Sequence, residues 1–345
     1  MKQFWIYSIT LFLSGSLYSQ GVSNAAFPSL GLDNSARLAS MGTPFSTFYE
    51  PKIDVATSNA SLISPALHNA GMVHYASYFS AYSNVQAAYA RELKKVGMFM
   101  LSMQYLNFGF VDACDPFGDC SGQSGLKYDF VANLGWGRVL VDSVFSIGAN
   151  FKYIFSRGEN FWEHGIAGDV SATYMDMDKR LAVSLALRNI GIVLKSDMFS
   201  DYQRLPFQID LALYQRVKHA PFGYSIVLSN LQKWNLSGVD LKEETIDPNT
   251  GEITTPNKFS AFADNAMRHI IFGGELFLFR NFAFRMSYNY HRRQEFKIAT
   301  RPGFVGFSWG VGTKIYKFQV DYARSAWSLA GAPNYFSITA NLSDF

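Results

Sequence analysis

The stretch Phe145-Ser146-Ile147-Gly148-Ala149-Asn150-Phe151-Lys152-Tyr153-Ile154-Phe155 decides the fold class. Apolar side chains hold every second position from 145 to 155, and Ser, Gly, Asn and Lys lie between them. This alternation places the two sets on opposite faces of an extended strand, which no helix can do. Soluble strands usually end near five or six residues, whereas a tilted strand needs roughly nine to eleven to cross a bilayer. The stretch therefore predicts a membrane-spanning strand.

Runs of this kind recur along the chain, and we count about fourteen of them. They lie near residues 72–80, 83–92, 96–106, 128–138, 143–155, 166–177, 180–190, 205–216, 223–232, 268–279, 282–291, 303–313, 315–324 and 334–343. A closed barrel is the sheet form that leaves no unpaired backbone edge in lipid. The sequence predicts an all-β fold, a transmembrane antiparallel β-barrel of about 14 strands.

The composition agrees with alternating strands. The 345 residues include 31 Phe and 19 Tyr, yet the mean hydropathy is 0.00. Beyond the N-terminus, no apolar run approaches the roughly 20 residues of a membrane helix. The formal net charge of +3 is too small and too dispersed to indicate a nucleic-acid partner.

The N-terminal part divides into two predicted units before the barrel. Residues 1–19 have a basic start, an apolar middle and a small-residue end, which predicts a secretory signal peptide. Residues 20–70 lack alternation and are rich in Ser, Asn, Ala, Gly and Pro. Because the lumen of a large barrel must be filled or left to water, we expect this stretch to form a hatch or plug segment. Residues 71–345 then form the outer-membrane barrel.

The connections between the runs alternate in length. Short turns lie near residues 93–95, 139–142, 178–179, 217–222, 280–281 and 313–314, and longer loops near 107–127, 156–165, 191–204, 233–267, 291–302 and 325–333. Outer-membrane barrels have short periplasmic turns and long outer loops. The pattern predicts that both termini are periplasmic.

Strand parity directs a set of charged residues into the lumen. These are Lys152, Asp169, Arg188, Asp210, Glu275, Arg285 and Asp321. A structural network of ion pairs and hydrogen bonds is the usual role of such residues, and a substrate path is the alternative. The chain ends on an aromatic residue, Phe345, that is out of register with Phe336 and Ile338, which predicts a slip or a short tail after residue 342.

Cys114 and Cys120 lie in a turn-rich stretch of a chain predicted to be exported, which favours a small disulfide loop. The acidic residues beside them raise calcium binding as an alternative, although their spacing differs from that of an EF-hand loop. The six histidines show no metal-ligand spacing, and no GxSxG elbow occurs. We expect neither an enzyme nor a cofactor.

Short stretches resemble known families. Residues 32–42 and 59–62 resemble the hatch signature of FadL-like barrels. Six further stretches are similar to the PorQ family, whose members are outer-membrane components of the type IX protein secretion system of Bacteroidota. These stretches are residues 104–109, 151–157, 159–169, 205–207, 219–222 and 231–234. The resemblance implies a FadL-like barrel that acts as a non-enzymatic anchor in the attachment complex and holds PorZ at the surface. PorU and PorV are further members of that complex, and the expected partners also include outer-membrane lipid and lipopolysaccharide.

Two functions remain open at this point. The first is this anchor, whose candidate docking residues in the long loops are Asp112, Asp115, Phe117, Arg157, Phe161, Trp162, Trp234 and Leu236. The alternative is a FadL-like transporter of hydrophobic small molecules across the outer membrane. It would need an apolar pocket behind the hatch and a lateral gap in the wall, and the charged inward residues argue mildly against it.

Overall fold

A computed structural model describes residues 26–78, 82–93, 96–114, 120–140, 144–158, 162–196, 204–237, 245–246, 253–254, 258–279, 281–297, 303–328 and 331–345. These residues form a closed antiparallel barrel of fourteen strands, in which each strand pairs with its neighbours along the chain and the last strand pairs with the first. The predicted fold class is confirmed.

The barrel strands are β1 (Ala70–Ser77), β2 (Ser83–Leu93), β3 (Gly97–Cys114), β4 (Cys120–Val139), β5 (Phe145–Arg157), β6 (Trp162–Asp176), β7 (Leu181–Ser196), β8 (Gln208–Arg216), β9 (Phe222–Leu228), β12 (Ile270–Phe279), β13 (Phe282–Asn289), β14 (Phe307–Ile315), β15 (Phe318–Ser325) and β16 (Asn334–Asn341). A separate pair, β10 (Thr245–Ile246) and β11 (Ile253–Thr254), lies in the chain between β9 and β12. All fourteen predicted runs overlap a barrel strand.

The barrel wall is apolar outside and polar inside. On β5, Phe145, Ile147 and Phe151 are exposed, while Ser146 and Asn150 are buried. The same inversion holds on β16, where Phe336 and Ile338 are about half exposed and Ser337 is buried. Exposed apolar and buried polar residues are the reverse of a soluble protein, and they match a wall between lipid and a polar lumen.

Three predicted loops are partly wrong, because five strands continue beyond the apolar alternation. The predicted loop 107–127 is largely strand, since β3 and β4 have 18 and 20 residues. The predicted loops 156–165 and 191–204 are likewise shortened by β5, β6 and β7. Strand pairing requires only backbone hydrogen bonds, so strands that leave the lipid lose the period-two signal but keep their ladder.

The N-terminal segment (residues 26–69) lies inside the barrel and is almost wholly buried. It contains the short helices α1 (Ala36–Ser40) and α2 (Ile53–Ala56) and three 3₁₀ turns. Its backbone bonds to inward side chains on opposite sides of the wall: Ala36 N donates to Ser337 Oγ at 2.8 Å, and Ser61 N donates to Ser171 Oγ at 2.8 Å. The boundary of a hatch domain at residue 70 and the signal peptide at 1–19 stay predictions, the latter outside the described residues.

Two inward glycines allow the N-terminal segment to touch the wall. A Cβ atom at Gly148 would overlap the backbone of Ala60 and Ser61, and one at Gly137 would overlap the carbonyl of Ile63. The segment therefore meets β4 and β5 backbone to backbone, a distance that only glycine permits.

The two ends of the barrel differ. The turn end carries the short connections and the C-terminal residues, while the loop end carries the long ones. Ala26 lies near the loop end, since its N–H bonds to the Arg204 carbonyl at 3.2 Å, and the segment then descends to β1 at the turn end. Which end faces the periplasm stays a prediction. The predicted C-terminal tail is a 3₁₀ turn, Leu342–Asp344, after β16.

Two helices stand at the loop end. α3 (Lys258–His269) runs directly into β12, and α4 (Tyr290–Phe296) follows β13. Both fall where the sequence predicted only loop or strand ends. Among the described residues, no helix has the length and apolar character of a membrane span.

Candidate functional site in the barrel lumen

The structure places all seven charged residues of the sequence analysis inside the barrel. Their side chains are at most 12% exposed. Within the described part of the chain they form three ionic clusters, and none of the seven stands alone. Buried charges are stable only when paired and hydrogen-bonded, so each cluster is a fixed part of the lumen.

The first cluster joins β5, β6 and β7. Lys152 Nζ lies 2.7 Å from Asp169 Oδ2 and also donates to Asn189 Oδ1 at 3.0 Å. Asn189 has a positive φ of 58° and forms a bulge where the β6–β7 register shifts. Its N–H donates to Asp169 Oδ1 at 2.8 Å. The cluster thus holds the bulge in place, as side chains do at irregular points of barrels.

The second cluster lies beside the first, on β7 and β8. Arg188 Nε lies 2.8 Å from Asp210 Oδ2, and Arg188 Nη2 donates to Gln208 at 2.6 Å. The guanidinium also lies over the ring of Phe45, from the N-terminal segment, at 5.5 Å. Arg188 and Gln208 are the last pair of the β7–β8 ladder, which covers only Leu181 to Arg188 on β7, so this cluster lies where the ladder ends.

The third cluster connects the N-terminal segment to the wall. Arg285 Nε lies 2.7 Å from Glu275, and Arg285 Nη1 lies 2.6 Å from Asp321. Arg37 of α1 bonds to Asp54 of α2 at 2.9 Å and lies 3.6 Å from Glu275. Burial disfavours the charge of Arg37, but Asp54 and Glu275 outweigh burial and raise the pKa of Arg37 above its ordinary value.

Sequence reasoning missed Arg37, Asp54 and Tyr214 as members of this cluster. Tyr214 donates to Glu275 Oε2 at 2.7 Å. Parity on β8 could have placed Tyr214 inside, because Asp210 and Tyr214 are four residues apart on one strand. No pattern could place Arg37 and Asp54, since the N-terminal segment has no repeat.

An apolar site lies in the lumen towards the loop end. The ring of Phe27 packs in a cluster with Val131, Ile154, Ala167 and Leu205. Gly165 leaves room for this ring, since a Cβ atom there would lie 2.6 Å from it. The site is a pocket for one aromatic ring, filled by the chain itself.

The Phe27 site lies where the wall lacks a continuous ladder. β7 continues to Ser196 paired with β6, but its pairing with β8 ends at Arg188. Residues 204–207, which precede β8, lie beside this part of β7 without pairing to it as a strand. Asn189 Nδ2 donates a hydrogen bond to the Pro206 carbonyl at 3.1 Å. Side-chain contacts therefore close this part of the wall among the described residues.

A small polar cavity lies beside the first cluster. Its lining includes Ser29, Asn34, Gln86, Gln104 and Lys152. Among the described residues, no group of three or more His, Cys, Asp and Glu side chains is placed to hold a metal ion. The lumen thus offers an apolar ring pocket, a polar cavity and closed ionic clusters.

The predicted docking residues that the structure describes lie in two parts of the chain. Arg157 and Trp162 face each other as the last pair of the β5–β6 ladder. Trp234 and Leu236 lie in the connection after β9, where Trp234 stacks on His269 at 5.4 Å. Asp115, Phe117 and Phe161 lie outside the described residues. Cys114 and Cys120 oppose each other in the β3–β4 ladder, but their side chains and that of Asp112 are outside the described part, so the disulfide stays a prediction.

Solved structures of outer-membrane barrels share this fold. The chain is similar to the Pseudomonas putida toluene transporter TodX, with a TM-score of 0.52 and 10% identity over 91% of this chain and 99% of TodX. A TodX deltaS2S3 mutant, a monoaromatic hydrocarbon channel, gives a TM-score of 0.50 and 10% identity over 91% and 98% of the two chains. A Pseudomonas aeruginosa FadL homologue gives a TM-score of 0.48 and 10% identity over 90% of this chain and 99% of the homologue.

This likeness extends to the fold alone. No family model matches the sequence, and the search of curated proteins found no match. At 10% identity, TodX shows that the chain has a FadL-like outer-membrane barrel fold.

Proposed function

We propose that this protein transports hydrophobic small molecules across the outer membrane. The observation that carries the proposal is the apolar ring pocket of Phe27, which lies in the lumen beside the interrupted β7–β8 ladder. A hydrophobic molecule needs an apolar site in the lumen and a passage through the wall. The Phe27 pocket lies next to the part of the wall where side-chain contacts, and not a strand ladder, join β7 to its neighbour. TodX, which has this fold, is described as a toluene transporter.

The pocket suits a ligand the size of one aromatic ring. Phe27 is 2% exposed, and its neighbours Val131, Ile154 and Ala167 are also buried. Phe27 belongs to the N-terminal segment, so a ligand that takes the place of its ring must displace the start of that segment. The nearby ionic clusters are paired, and their charges are thereby shielded from an apolar ligand.

The Phe27→Ala variant tests this proposal. The removed ring leaves an apolar cavity, and apolar cavities of about 150 Å³ bind benzene. We expect the variant to retain toluene through purification in mild detergent and to take it up faster in proteoliposomes. Phe45→Ala is the matched control, because Phe45 is a fully buried residue of the same segment in a different apolar cluster. Equal toluene retention by the two variants would contradict the proposal.

A second candidate function is the surface anchor of the type IX secretion attachment complex. Its support is the resemblance to the PorQ family and the extension of β3–β7 beyond the other strands at the loop end. This extension exposes Phe110 and Leu126, which oppose each other on β3 and β4. Such apolar side chains, if they stand above the lipid, are typical of a docking surface for a soluble protein such as PorZ.

Co-purification separates the two functions. As an anchor, the protein brings a soluble surface partner from native membranes in stoichiometric amount, and the double variant Phe110→Ser, Leu126→Ser loses it. As a transporter, it comes without a partner and carries bound hydrophobic molecules. Both functions are non-enzymatic and need no cofactor.

A further inference from the structure

The apolar side of helix α3 is exposed and its polar side is buried. The exposed side carries Phe262, which is 55% exposed, and Met267, which is 36% exposed. Phe259 is also exposed and lies one turn before Phe262. Its buried side carries Asn265 and His269. A helix on a soluble surface shows the opposite arrangement, with the apolar stripe turned inward.

Polar contacts fix the orientation of α3. Asp264 accepts a hydrogen bond from Tyr290 of α4 at 2.6 Å and pairs with Arg268 at 2.7 Å. The ring nitrogens of His269 lie 2.8 Å and 3.0 Å from the carbonyl oxygens of Ser229 and Trp234. The polar side is therefore held against α4 and the 229–234 turn, and the apolar stripe must face outward.

The 229–234 turn extends the same apolar surface. Trp234 is 51% exposed and packs on Phe262 with ring centroids 5.2 Å apart, and Leu231 is 41% exposed. Leu231 N donates to the carbonyl of Ile209 on β8 at 2.9 Å, and α3 passes directly into Ile270 of β12. The surface is thus continuous with the outer faces of the two strands that flank β9.

The length of β9 indicates what covers this surface. β9 has 7 residues, whereas a tilted strand needs roughly nine to eleven to cross the hydrocarbon. Above β9 the wall would fall short of the lipid band, and the turn and α3 stand in that position. We propose that α3, Leu231 and Trp234 contact acyl chains of the membrane leaflet at the loop end and complete the lipid-facing band above β9.

Fluorescence of Trp234 in proteoliposomes tests the proposal. The emission of Trp234 is obtained by subtracting the spectrum of the Trp234→Phe variant from that of the wild-type protein. Both spectra are measured in phosphatidylcholine vesicles that carry bromine either near the headgroup or deep in the acyl chains. We expect shallow bromines to quench about half of this emission, because aromatic side chains settle at the membrane interface. Aqueous iodide should have little effect. Quenching by iodide without quenching by brominated lipid overturns the proposal.

Two variants provide a second measurement. Phe262→Asp places a charge in the apolar stripe of α3 and is expected to reduce the bromine quenching of Trp234. His219→Asp, in the exposed turn between β8 and β9 at the other end of the barrel, is the control and leaves the quenching unchanged. Cross-linking in the same vesicles adds a further check. A dimer joined through α3 and protected from brominated lipid would assign the surface to a second copy and overturn the proposal.

Discussion

Arg285 is the most buried cation of the lumen and neutralises two carboxylates at once. It lies 2.7 Å from Glu275 and 2.6 Å from Asp321, with its side chain 1% exposed. Gly312 makes room for the pair, since a Cβ atom there would overlap Asp321. The arginine therefore ties β13 to both β12 and β15 across the inner surface.

Replacement of Arg285 by Met tests this role. The variant leaves Glu275 and Asp321 buried without their cation, and breaking a buried ion pair costs roughly 3–5 kcal/mol. We expect the free energy of unfolding in urea and lipid vesicles to fall by this amount, and the double variant Arg285→Met, Asp321→Asn to recover part of it. Arg324→Met, at an exposed position on β15, is the control and should change little.

Gly148 permits a backbone-to-backbone contact between the N-terminal segment and the wall. In Gly148→Ala the new methyl group meets the backbone of Ala60, and overpacking of this kind costs roughly 1–3 kcal/mol. We expect faster proteolysis of the segment in the folded barrel. Gly168→Ala is the control, because its Cβ would have no atom nearer than 3.5 Å. Equal proteolysis of both variants would count against the contact.

Residue-level prediction from the sequence was possible where a period existed. Strand parity placed Lys152, Asp169 and Arg285 on the inner face, because side chains alternate strictly along a strand. Their partners Arg37 and Asp54 lie in a segment without periodicity, and their positions follow from tertiary packing. Pairing across the lumen could not be predicted for the same reason.

At the scale of elements, the strands were predictable and the helices were not. Each predicted run overlaps a strand, because lipid on one side and polar lumen on the other impose alternation along its whole length. α3 was missed because most of it lies in the stretch 233–267, which the sequence analysis assigned to a long loop between strands. α4 begins at Tyr290, where the alternation of β13 continues in the sequence, and its N-cap Asn289 ends the strand.

Asp264 is the residue that joins α3 to α4. Its partial burial alone would raise its pKa, but the hydrogen bond from Tyr290 and the ion pair with Arg268 outweigh burial and hold the pKa of Asp264 below its ordinary value. A depressed carboxyl pKa contributes stability above the unfolded value, and this contribution is lost as the pH falls through the folded value. The α3–α4 contact should therefore be unaffected between pH 7 and about pH 5 and weaken only in stronger acid.

Asp264→Asn removes the charge at every pH. We expect roughly 0.5–1 kcal/mol less local stability, seen as faster hydrogen exchange of the amides in 258–269 at neutral pH. Asp178→Asn, the same change in the exposed turn between β6 and β7, should leave exchange in α3 unchanged. An unaltered exchange rate in both variants would mean that Asp264 does not hold the helix.

At the scale of the whole molecule, the N-terminal segment and the barrel form one packed body. The segment contributes to apolar clusters on several sides of the lumen, including one with Ala70, Met98, Met175 and Tyr214 near the turn end. The sequence predicted a plug from composition alone, and the lumen contacts of residues 26–69 could be found only in the folded chain.

Deletion of residues 26–69 should open the barrel to water. A fourteen-stranded barrel without its contents has a polar, solvent-filled lumen, so we expect steady ion conductance in planar bilayers from the deletion variant and almost none from the intact chain. Gel mobility before and after boiling serves as the control, because a folded barrel migrates differently from the unfolded chain. A folded deletion variant without conductance would contradict the expectation.

The strands of this barrel differ greatly in length: β4 has 20 residues and β9 has 7. At roughly 3.3 Å per residue and a tilt near 40°, the sheet is about 30 Å taller along the barrel axis at β4 than at β9. At the loop end, the long strands β3–β7 stand on one side of the barrel, and the 229–234 turn and α3 stand above β9 on another. A soluble protein that approaches along the membrane surface therefore contacts β-sheet from the first direction and a helix from the second.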